Sequence, residues 1–273
     1  MDLTTTCYKH PDRETGVSCQ RCERYICTDC ATPGAVGFLC PEDAGDRVKI
    51  RRANFQKSPI QAAPVTIALI AINVLVYVAQ QIYPALIDSL AYANVGSDTD
   101  YGSIIRVFTS GFTHSNTQIT HILFNMYSLF VLGTVIEPMI GKLRFLSLYF
   151  ASMFAGAIGV LFMAPWGTSV VGASGAIFGL MAAYLIFLRA LKLSAGQMYV
   201  IIGINLVLGF LPGIAWEAHV GGLIAGGATA FVLAYTRKRE QKNLQIAGLG
   251  LVLVILIGLW VFGNSLVPTA MVW

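Results

Sequence analysis

The chain has 273 residues, of which 56% are hydrophobic and only 12% are charged, with a formal net charge of +4. This composition lies outside the range of soluble globular domains and is typical of membrane proteins. The positive residues lie between apolar runs and form no single basic face, so we expect no nucleic acid partner. Nine of the 18 Lys and Arg residues fall in positions 1–57, which separates a polar head from a long apolar body.

The head, residues 1–44, contains all six cysteines of the chain. With one histidine and one aspartate they form four pairs, each with two residues between its members: Cys7/His10, Cys19/Cys22, Cys27/Cys30 and Cys40/Asp43. A pair at this spacing lets one tight turn present two ligands to a tetrahedral zinc ion. The eight ligands predict two structural zinc sites, and their spacing resembles that of B-box-type zinc fingers, which are binding modules.

The spacing leaves the ligand pairing open. A cross-braced arrangement would join the first pair to the third and the second pair to the fourth. Asp43 is the weakest ligand, and Glu42 or a water molecule could replace it. The alternative to zinc is a disulfide framework, which would also stabilise a small domain without a core. The predicted cytoplasmic position of the head argues against disulfides, because thiols stay reduced there.

A basic juxtamembrane linker at 45–58, suited to lie against anionic lipid, follows the head. Beyond it are seven apolar segments, each near the length that crosses about 30 Å of hydrocarbon. They lie at 64–84, 119–138, 143–163, 172–190, 197–214, 218–236 and 245–266. The stretch 85–118 is too polar and too interrupted to span a membrane, so we expect it to form a long loop.

The charges between the segments predict the orientation of the bundle. Positive residues occupy alternate gaps, at 47–57, 142–144, 189–192 and 237–242, whereas the opposite gaps contain only Arg106. Because positive loops stay in the cytoplasm, we expect a cytoplasmic N-terminus and an external C-terminus. The sequence therefore predicts an all-α, multi-pass protein of the cell (plasma) membrane, surrounded by the lipid bilayer and without a cleavable signal peptide.

Polar residues inside apolar segments are costly and point to function. His121 and Asn125 lie four residues apart, on one face of the second segment. Ser174 begins the fourth segment and His219 begins the sixth. The three segments run in the same direction, so these residues should share one depth near the external surface. Together they offer the parts of an acyl-transfer site: the nucleophile Ser174, the base His219, and the oxyanion donors His121, Asn125 and the Ser174 backbone N–H.

Each of these residues also has a structural interpretation. A serine in a small-residue helix often serves packing, and a histidine at a helix end often lies at the interface. Their joint occurrence at one depth favours the functional interpretation. No Asp occurs in a spanning segment, and Glu217 lies two residues from His219, so on a helix it points elsewhere. The sequence therefore favours a dyad over a triad.

The fourth and sixth segments carry residues that would bring them together. Each contains a pair of glycines with three residues between them, Gly175/Gly179 and Gly222/Gly226, which lets helices approach closely. Phe178, one turn below the serine on the same face, could pack against the ring of the histidine. We expect these features to support a hydrogen bond between Ser174 and His219.

These residues resemble the motifs of the rhomboid family of intramembrane serine proteases. The matching strings are His121-Ile-Leu-Phe-Asn125-Met126, then Glu137, Gly172-Ala-Ser174-Gly175, and Ala218-His219-Val-Gly-Gly222 with Gly226. The resemblance covers about residues 60–240. In the long loop, Arg106 resembles the Arg of the family's Trp-Arg pair, but Ile105 replaces the Trp. His114 suits the structural histidine of that loop.

The resemblance implies a six-helix bundle, here with a seventh helix, and a water-filled cavity open to the outside. It implies transmembrane protein substrates cleaved near their outer end, without a cofactor for catalysis. Ser174 would be the nucleophile and His219 the general base, with His121 and Asn125 at the oxyanion hole. The supporting residues would be Gly172, Gly175, Phe178, Gly222 and Gly226.

The predicted organisation has four parts. They are a B-box-like zinc-binding domain at 1–44, a basic linker at 45–58, a rhomboid protease domain of six transmembrane helices at 59–240, and a seventh helix with an external tail at 241–273. The head could bind a cytoplasmic protein partner. One alternative is a catalytically silent rhomboid-like adaptor that acts through the head. Another is a transporter, but the acidic residues expected near the midplane of a transporter are missing.

Overall fold

The computed structural model describes residues 5–33, 37–44, 58–95, 100 and 102–268. The chain forms two compact units, Met1–Ser58 and Pro59–Trp273. Most of the predicted basic linker, residues 45–57, lies outside the described residues. The predicted domain boundaries at 44 and 240 therefore stay predictions.

The first unit contains little regular structure. Strands β1 (Thr32–Pro33) and β2 (Phe38–Leu39) pair antiparallel, and a single turn, α1 (Pro41–Ala44), follows. Ile26 is the one large apolar side chain that is fully buried in the described part of this unit; its neighbours are the cysteines. A domain with so small a core needs a metal or covalent cross-links to be stable.

The second unit consists of helices, with one two-stranded sheet between its loops. A short α2 (Pro59–Ala62) precedes α3 (Pro64–Ile82), and α4 (Leu86–Leu90), β3 (Tyr92–Ala93) and α5 (Ile104–Ser110) form the loop that follows. The remaining elements are α6 (Ile119–Ile140), α7 (Lys142–Met163), β4 (Ser169–Val170), α8 (Ser174–Ala190), α9 (Gly196–Gly209), α10 (Trp216–Tyr235), a 3₁₀ turn (Arg239–Gln241) and α11 (Lys242–Ser265). Strands β3 and β4 pair antiparallel.

All seven predicted segments are helical, and five of them are long and apolar enough to cross a membrane. The other two, α8 and α9, are shorter, with 17 and 14 residues. The predicted segment 197–214 was too long at its end, because Gly213 has a positive φ of 84° and Pro212 disfavours a helical conformation in the residue before it. The predicted all-α, polytopic membrane fold is confirmed.

Helices α7, α8 and α10 form the centre of the bundle and touch through glycines. A Cβ on Gly222 of α10 would lie 1.9 Å from the carbonyl oxygen of Gly175 in α8. A Cβ on Gly226 would lie 2.2 Å from the Cα of Gly179. Both predicted glycine pairs thus lie in this contact. Only glycine allows two helix backbones to come this close.

Glu137 connects the C-terminal end of α6 to the start of α3. Its buried carboxylate accepts hydrogen bonds from the N–H groups of Val65 (3.0 Å) and Thr66 (2.7 Å) and from the Thr66 hydroxyl (2.8 Å). These amides belong to the first turn of α3, where backbone N–H groups have no acceptor within their own helix. The acidic residue therefore caps a membrane helix from another part of the chain and complements its dipole.

Buried polar side chains fix the long loop between α3 and α6 to the bundle. Gln80 of α3 binds the backbone of His114 twice, donating to its carbonyl (2.8 Å) and accepting from its N–H (3.1 Å). Asn94 binds the carbonyls of Val160 and Ala164 at the end of α7 (3.2 and 3.3 Å). Polar backbone at membrane depth thus finds partners in the protein.

Arg106 anchors the same loop from within. Its guanidinium is buried, donates to the carbonyls of Asp88 and Ala91, and pairs with the carboxylate of Asp100. Ile105, which stands where the family has Trp, is 70% exposed. Of these two neighbouring residues, the arginine is the one that contacts the rest of the loop through buried polar atoms.

Replacing Gly226 by alanine should destabilise the bundle, because the new Cβ would overlap the backbone of α8. Overpacking of this kind costs about 1–3 kcal/mol. The matched control is Gly258→Ala in α11, where an added Cβ meets nothing within 4 Å, so its melting temperature should not fall. Thermal unfolding in detergent compares the two variants. Equal melting temperatures would contradict the packing account.

Gln80→Ala should loosen the loop, because the buried backbone of His114 loses both of its partners, at a cost of about 1–3 kcal/mol for each unsatisfied group. We expect faster hydrogen–deuterium exchange at 110–118. The neighbouring Gln81 is exposed, so Gln81→Ala serves as the control and should exchange at the wild-type rate. Equal exchange in both variants would refute this anchoring role.

Candidate active site and metal centres

Ser174 and His219 lie within hydrogen-bond distance of each other. Ser174 is the first residue of α8, and His219 lies in the first turn of α10. The distance from His219 Nε2 to Ser174 Oγ is 2.9 Å. The hydroxyl is half-buried and the imidazole is buried. This is the geometry of a nucleophile and its base.

The aromatic ring of Phe178 holds the imidazole of His219 in place. The two rings stack with centroids 4.1 Å apart and planes 9° from parallel. The other ring nitrogen, Nδ1, has no hydrogen-bond partner among the described residues. Stacking, rather than a carboxylate behind the ring, therefore fixes the orientation of the histidine.

His121 presents a ring nitrogen to the loop just before Ser174. A Cβ on Gly172 would lie 2.7 Å from His121 Nε2 and 3.9 Å from the Ser174 hydroxyl. Gly172 also has a positive φ of 120°, which side chains rarely adopt. On its far side, His121 Nδ1 accepts the N–H of Ser115 at 3.4 Å. This assigns the ring proton to Nε2, which faces the glycine as a donor.

Asn125 lies one turn further along α6 and is also buried. Its Nδ2 donates one hydrogen bond to the carbonyl of His121 at 2.7 Å, and an amide nitrogen has a second hydrogen to give. Ser174, at the start of α8, has a backbone N–H without an acceptor in its own helix. The helix dipole at this end also favours negative charge.

Some residues that support this site were not predicted. Gln80 holds the loop backbone, and Ser115 donates to the ring of His121. Gly209 leaves room for His219, since a Cβ added at Gly209 would lie 3.3 Å from the Nδ1 atom of His219. A buried amide inside an apolar segment was the available signal for Gln80. Ser115 and Gly209 carry no such signal, because their role depends on backbone position.

In the head, the eight predicted ligands form two groups, within each of which the ligand atoms lie no more than 4.8 Å apart. The groups are Cys7, His10, Cys27 and Cys30, and Cys19, Cys22, Cys40 and Asp43. This is the cross-braced pairing. All six cysteines are free thiols, so the disulfide alternative finds no support here.

The distances between the ligand atoms of each group suit a tetrahedrally coordinated metal ion. His10 Nδ1 lies 3.3 Å from Cys27 Sγ, and the sulfurs of Cys22 and Cys40 lie 3.6 Å apart. Ligands at zinc bond lengths on a tetrahedron lie about 3.5–3.8 Å from one another. The residues present therefore fit a zinc ion in each group.

Glu42, the alternative to Asp43, is engaged elsewhere. Its carboxylate pairs with Lys9 Nζ at 2.8 Å and accepts the hydroxyl of Tyr8. These hydrogen bonds lower the pKa of the Glu42 carboxyl to about 2. Asp43 instead directs Oδ2 to 3.2 Å from the sulfur of Cys40. Of the two acidic residues, Asp43 is the one placed as a ligand.

Comparison with known proteins identifies the family of the chain. Residues 101–236 match the family model of the rhomboid domain. YdcA, a rhomboid of Bacillus subtilis (strain 168), is 33% identical over 141 residues, which are 50% of this chain and 70% of YdcA. Rhomboid protease AarA of Providencia stuartii is 29% identical over 245 residues, 75% of this chain and 85% of AarA.

Rhomboid protease GluP of Bacillus subtilis (strain 168) is 39% identical over 124 residues, 42% of this chain and 24% of GluP. The matched region contains the starts of α6, α8 and α10, where the polar residues of the candidate site lie. The family predicted from the motifs is thereby confirmed. This chain belongs to the rhomboid family.

Proposed function

We propose that this protein is an intramembrane serine endopeptidase with a Ser174–His219 dyad. The observation that carries the proposal is the 2.9 Å distance between the hydroxyl and the imidazole at the starts of two tightly packed helices. Membership of a family whose relatives include named rhomboid proteases supports it.

In the proposed reaction, His219 Nε2 takes the proton of the Ser174 hydroxyl as its oxygen attacks the substrate carbonyl. Three donors stabilise the oxyanion: His121 Nε2–H, the second N–H of Asn125 and the backbone N–H of Ser174. The imidazolium then protonates the leaving amine, and an acyl-enzyme forms. Water, activated by the same histidine, hydrolyses this ester and restores the hydroxyl.

A dyad suffices in this proposal because packing replaces the third residue. Glu217 makes no hydrogen bond to His219 among the described residues. The stacked ring of Phe178 limits rotation of the imidazole. In a triad the carboxylate would have that orienting role.

The substrates we propose are transmembrane proteins, cut near the external face of the plasma membrane. The positive residues between segments support this orientation, with the N-terminus in the cytoplasm and the C-terminus outside. Because a helix hides its peptide bonds, substrates have to unwind locally before attack. Cut sites should therefore favour small and helix-destabilising residues.

Ser174→Ala and His219→Ala should each lower the rate of cleavage of a single-span substrate by at least about 10³-fold, because nucleophile and base act as a unit. Cleavage is measured in liposomes with the purified full-length chain. The matched control is Ser147→Ala, which removes an exposed hydroxyl of α7 that donates only to its own helix, and it should keep the wild-type rate.

A serine-directed covalent probe provides a second readout on the same variants. Wild type and Ser147→Ala should be labelled, and Ser174→Ala should not. If folded wild-type protein, judged by a cooperative melting transition, were neither labelled nor active on several substrates, the alternative function would be favoured. That alternative is a catalytically silent adaptor acting through its head, and the intact Ser174–His219 pair argues against it.

We further propose that the head binds zinc, one structural ion in each four-residue group. The mixed thiolate, imidazole and carboxylate set and the near-tetrahedral spacing support zinc. These ions would hold the fold of the head and take no part in catalysis. With the proposed orientation, the head would face the cytoplasm and could recruit a protein partner there. Removal of residues 1–44 without a change in partners or substrate choice would contradict that role.

The purified protein should contain about two zinc ions per chain, measured by elemental mass spectrometry. Cys27→Ala and Asp43→Ala should each lose about one ion, because each variant breaks a different group. Glu42→Gln is the matched control for Asp43 and should keep the wild-type content. Full zinc content in both group variants would exclude these ligand sets.

A further inference from the structure

At the end of the bundle away from Ser174, five helix termini enclose a half-open cavity of about 360 Å³. Its wall is formed by the end of α6, the start of α7, the ends of α8 and α10, and the start of α11. The lining residues are Met139, Ile140, Arg144, Phe187, Leu191, Leu233, Arg237 and Gln245. From Ser174 to Leu191, α8 rises about 25 Å, which is close to the thickness of the hydrocarbon core of a bilayer.

The polar part of the lining consists of Arg144, Gln245 and the exposed Arg237. Arg144 Nε donates to Gln245 Oε1 at 2.8 Å. The buried amide of Gln245 in turn donates to the carbonyl of Thr236 at 2.9 Å and to its hydroxyl at 3.0 Å. Neither arginine pairs with a carboxylate in the part of the chain that the structure describes.

The rest of the lining is apolar, and this distinguishes between a free anion and an anion with an apolar tail. The exposed apolar residues of the lining, Met139 and Leu191, would contact hydrocarbon but would give nothing to a free phosphate ion. A molecule that complements both the arginines and the apolar residues of the lining has an anionic head and an apolar tail. The ends of membrane helices lie at the depth of lipid headgroups. A zwitterionic headgroup would find no carboxylate for its ammonium among the residues that line the cavity.

We propose that this cavity binds one anionic phospholipid, with its phosphate on Arg144 and Arg237 and an acyl chain along Met139 and Leu191. Arginine suits phosphate because it offers paired donors, and basic pockets between membrane helices bind such headgroups. The lipid joins the ends of five helices, including α11, and so stabilises the bundle. The proposal is independent of proteolysis and needs no active dyad.

Native mass spectrometry of the full-length protein tests the site directly. The protein in detergent is titrated with phosphatidylglycerol and, separately, with phosphatidylcholine. Wild type should bind phosphatidylglycerol at one saturable site. Arg144→Gln and Arg237→Gln should each weaken it about fivefold, and the double variant about 30-fold, from the loss of one charge contact each.

Two further variants test whether lipid binding depends on this cavity. Arg189→Gln is the matched control, since Arg189 lies at the same end of α8 but binds the hydroxyl of Tyr199 and does not line the cavity. It should bind as wild type does. Leu191→Trp keeps both arginines but fills the apolar part of the cavity from an exposed position, and it should also weaken phosphatidylglycerol binding.

Three results would overturn the proposal. The first is equal affinity for phosphatidylglycerol and phosphatidylcholine. The second is an unchanged affinity in the double arginine variant with a wild-type melting temperature, which excludes loss of fold as the cause. The third is displacement of the lipid by millimolar inorganic phosphate together with normal binding by Leu191→Trp, which would make the cavity a site for a simple anion.

Discussion

Backbone contact between α8 and α10 sets the distance on which the candidate site depends. A Cβ on Gly222 or Gly226 of α10 would strike the backbone of Gly175 or Gly179 in α8, so no side chain fits at these two positions. Because the contact joins backbone to backbone, it leaves little freedom in the separation of the helix starts. A hydrogen bond between Ser174 and His219 tolerates only a few tenths of an ångström. The hydrogen bond between Ser174 and His219 thus depends on the glycines at the contact of α8 and α10.

Much of this arrangement could be predicted because its signals are local in the sequence. Apolar length indicated the seven helices, glycines spaced by four positions indicated where two of them touch, and paired cysteines indicated the ligand groups. Helix α9 ends earlier than predicted because of Pro212 and Gly213, and the hydropathy pattern does not show their effect. The cavity at the far end could not be predicted, since Arg144 and Gln245 are 101 residues apart and meet only after the bundle forms.

The buried polar side chains of the second unit bind backbone in most cases. Glu137 caps α3, Gln80 holds the loop backbone at His114, Asn94 binds the end of α7, and Arg106 binds loop carbonyls. In hydrocarbon an unpaired amide or carbonyl costs several kcal/mol. Gln80, Asn94 and Arg106 therefore allow irregular backbone in the loop before α6. The ring of His121 accepts a hydrogen bond from this loop, at Ser115. The sequence does not indicate which groups these side chains bind, because the partners are main-chain atoms.

The glycine contacts differ in what could compensate for their loss. Where a new Cβ would strike a side chain, as at Gly111 against Met153 or Gly133 against Thr66, a smaller residue at the partner position could restore the fit. At Gly222 the obstacle is the backbone of α8, and every amino acid has the same main chain. No second-site suppressor at the contacted residue can exist there. Genetic rescue screens should therefore recover paired changes at the first kind of position and none at the second.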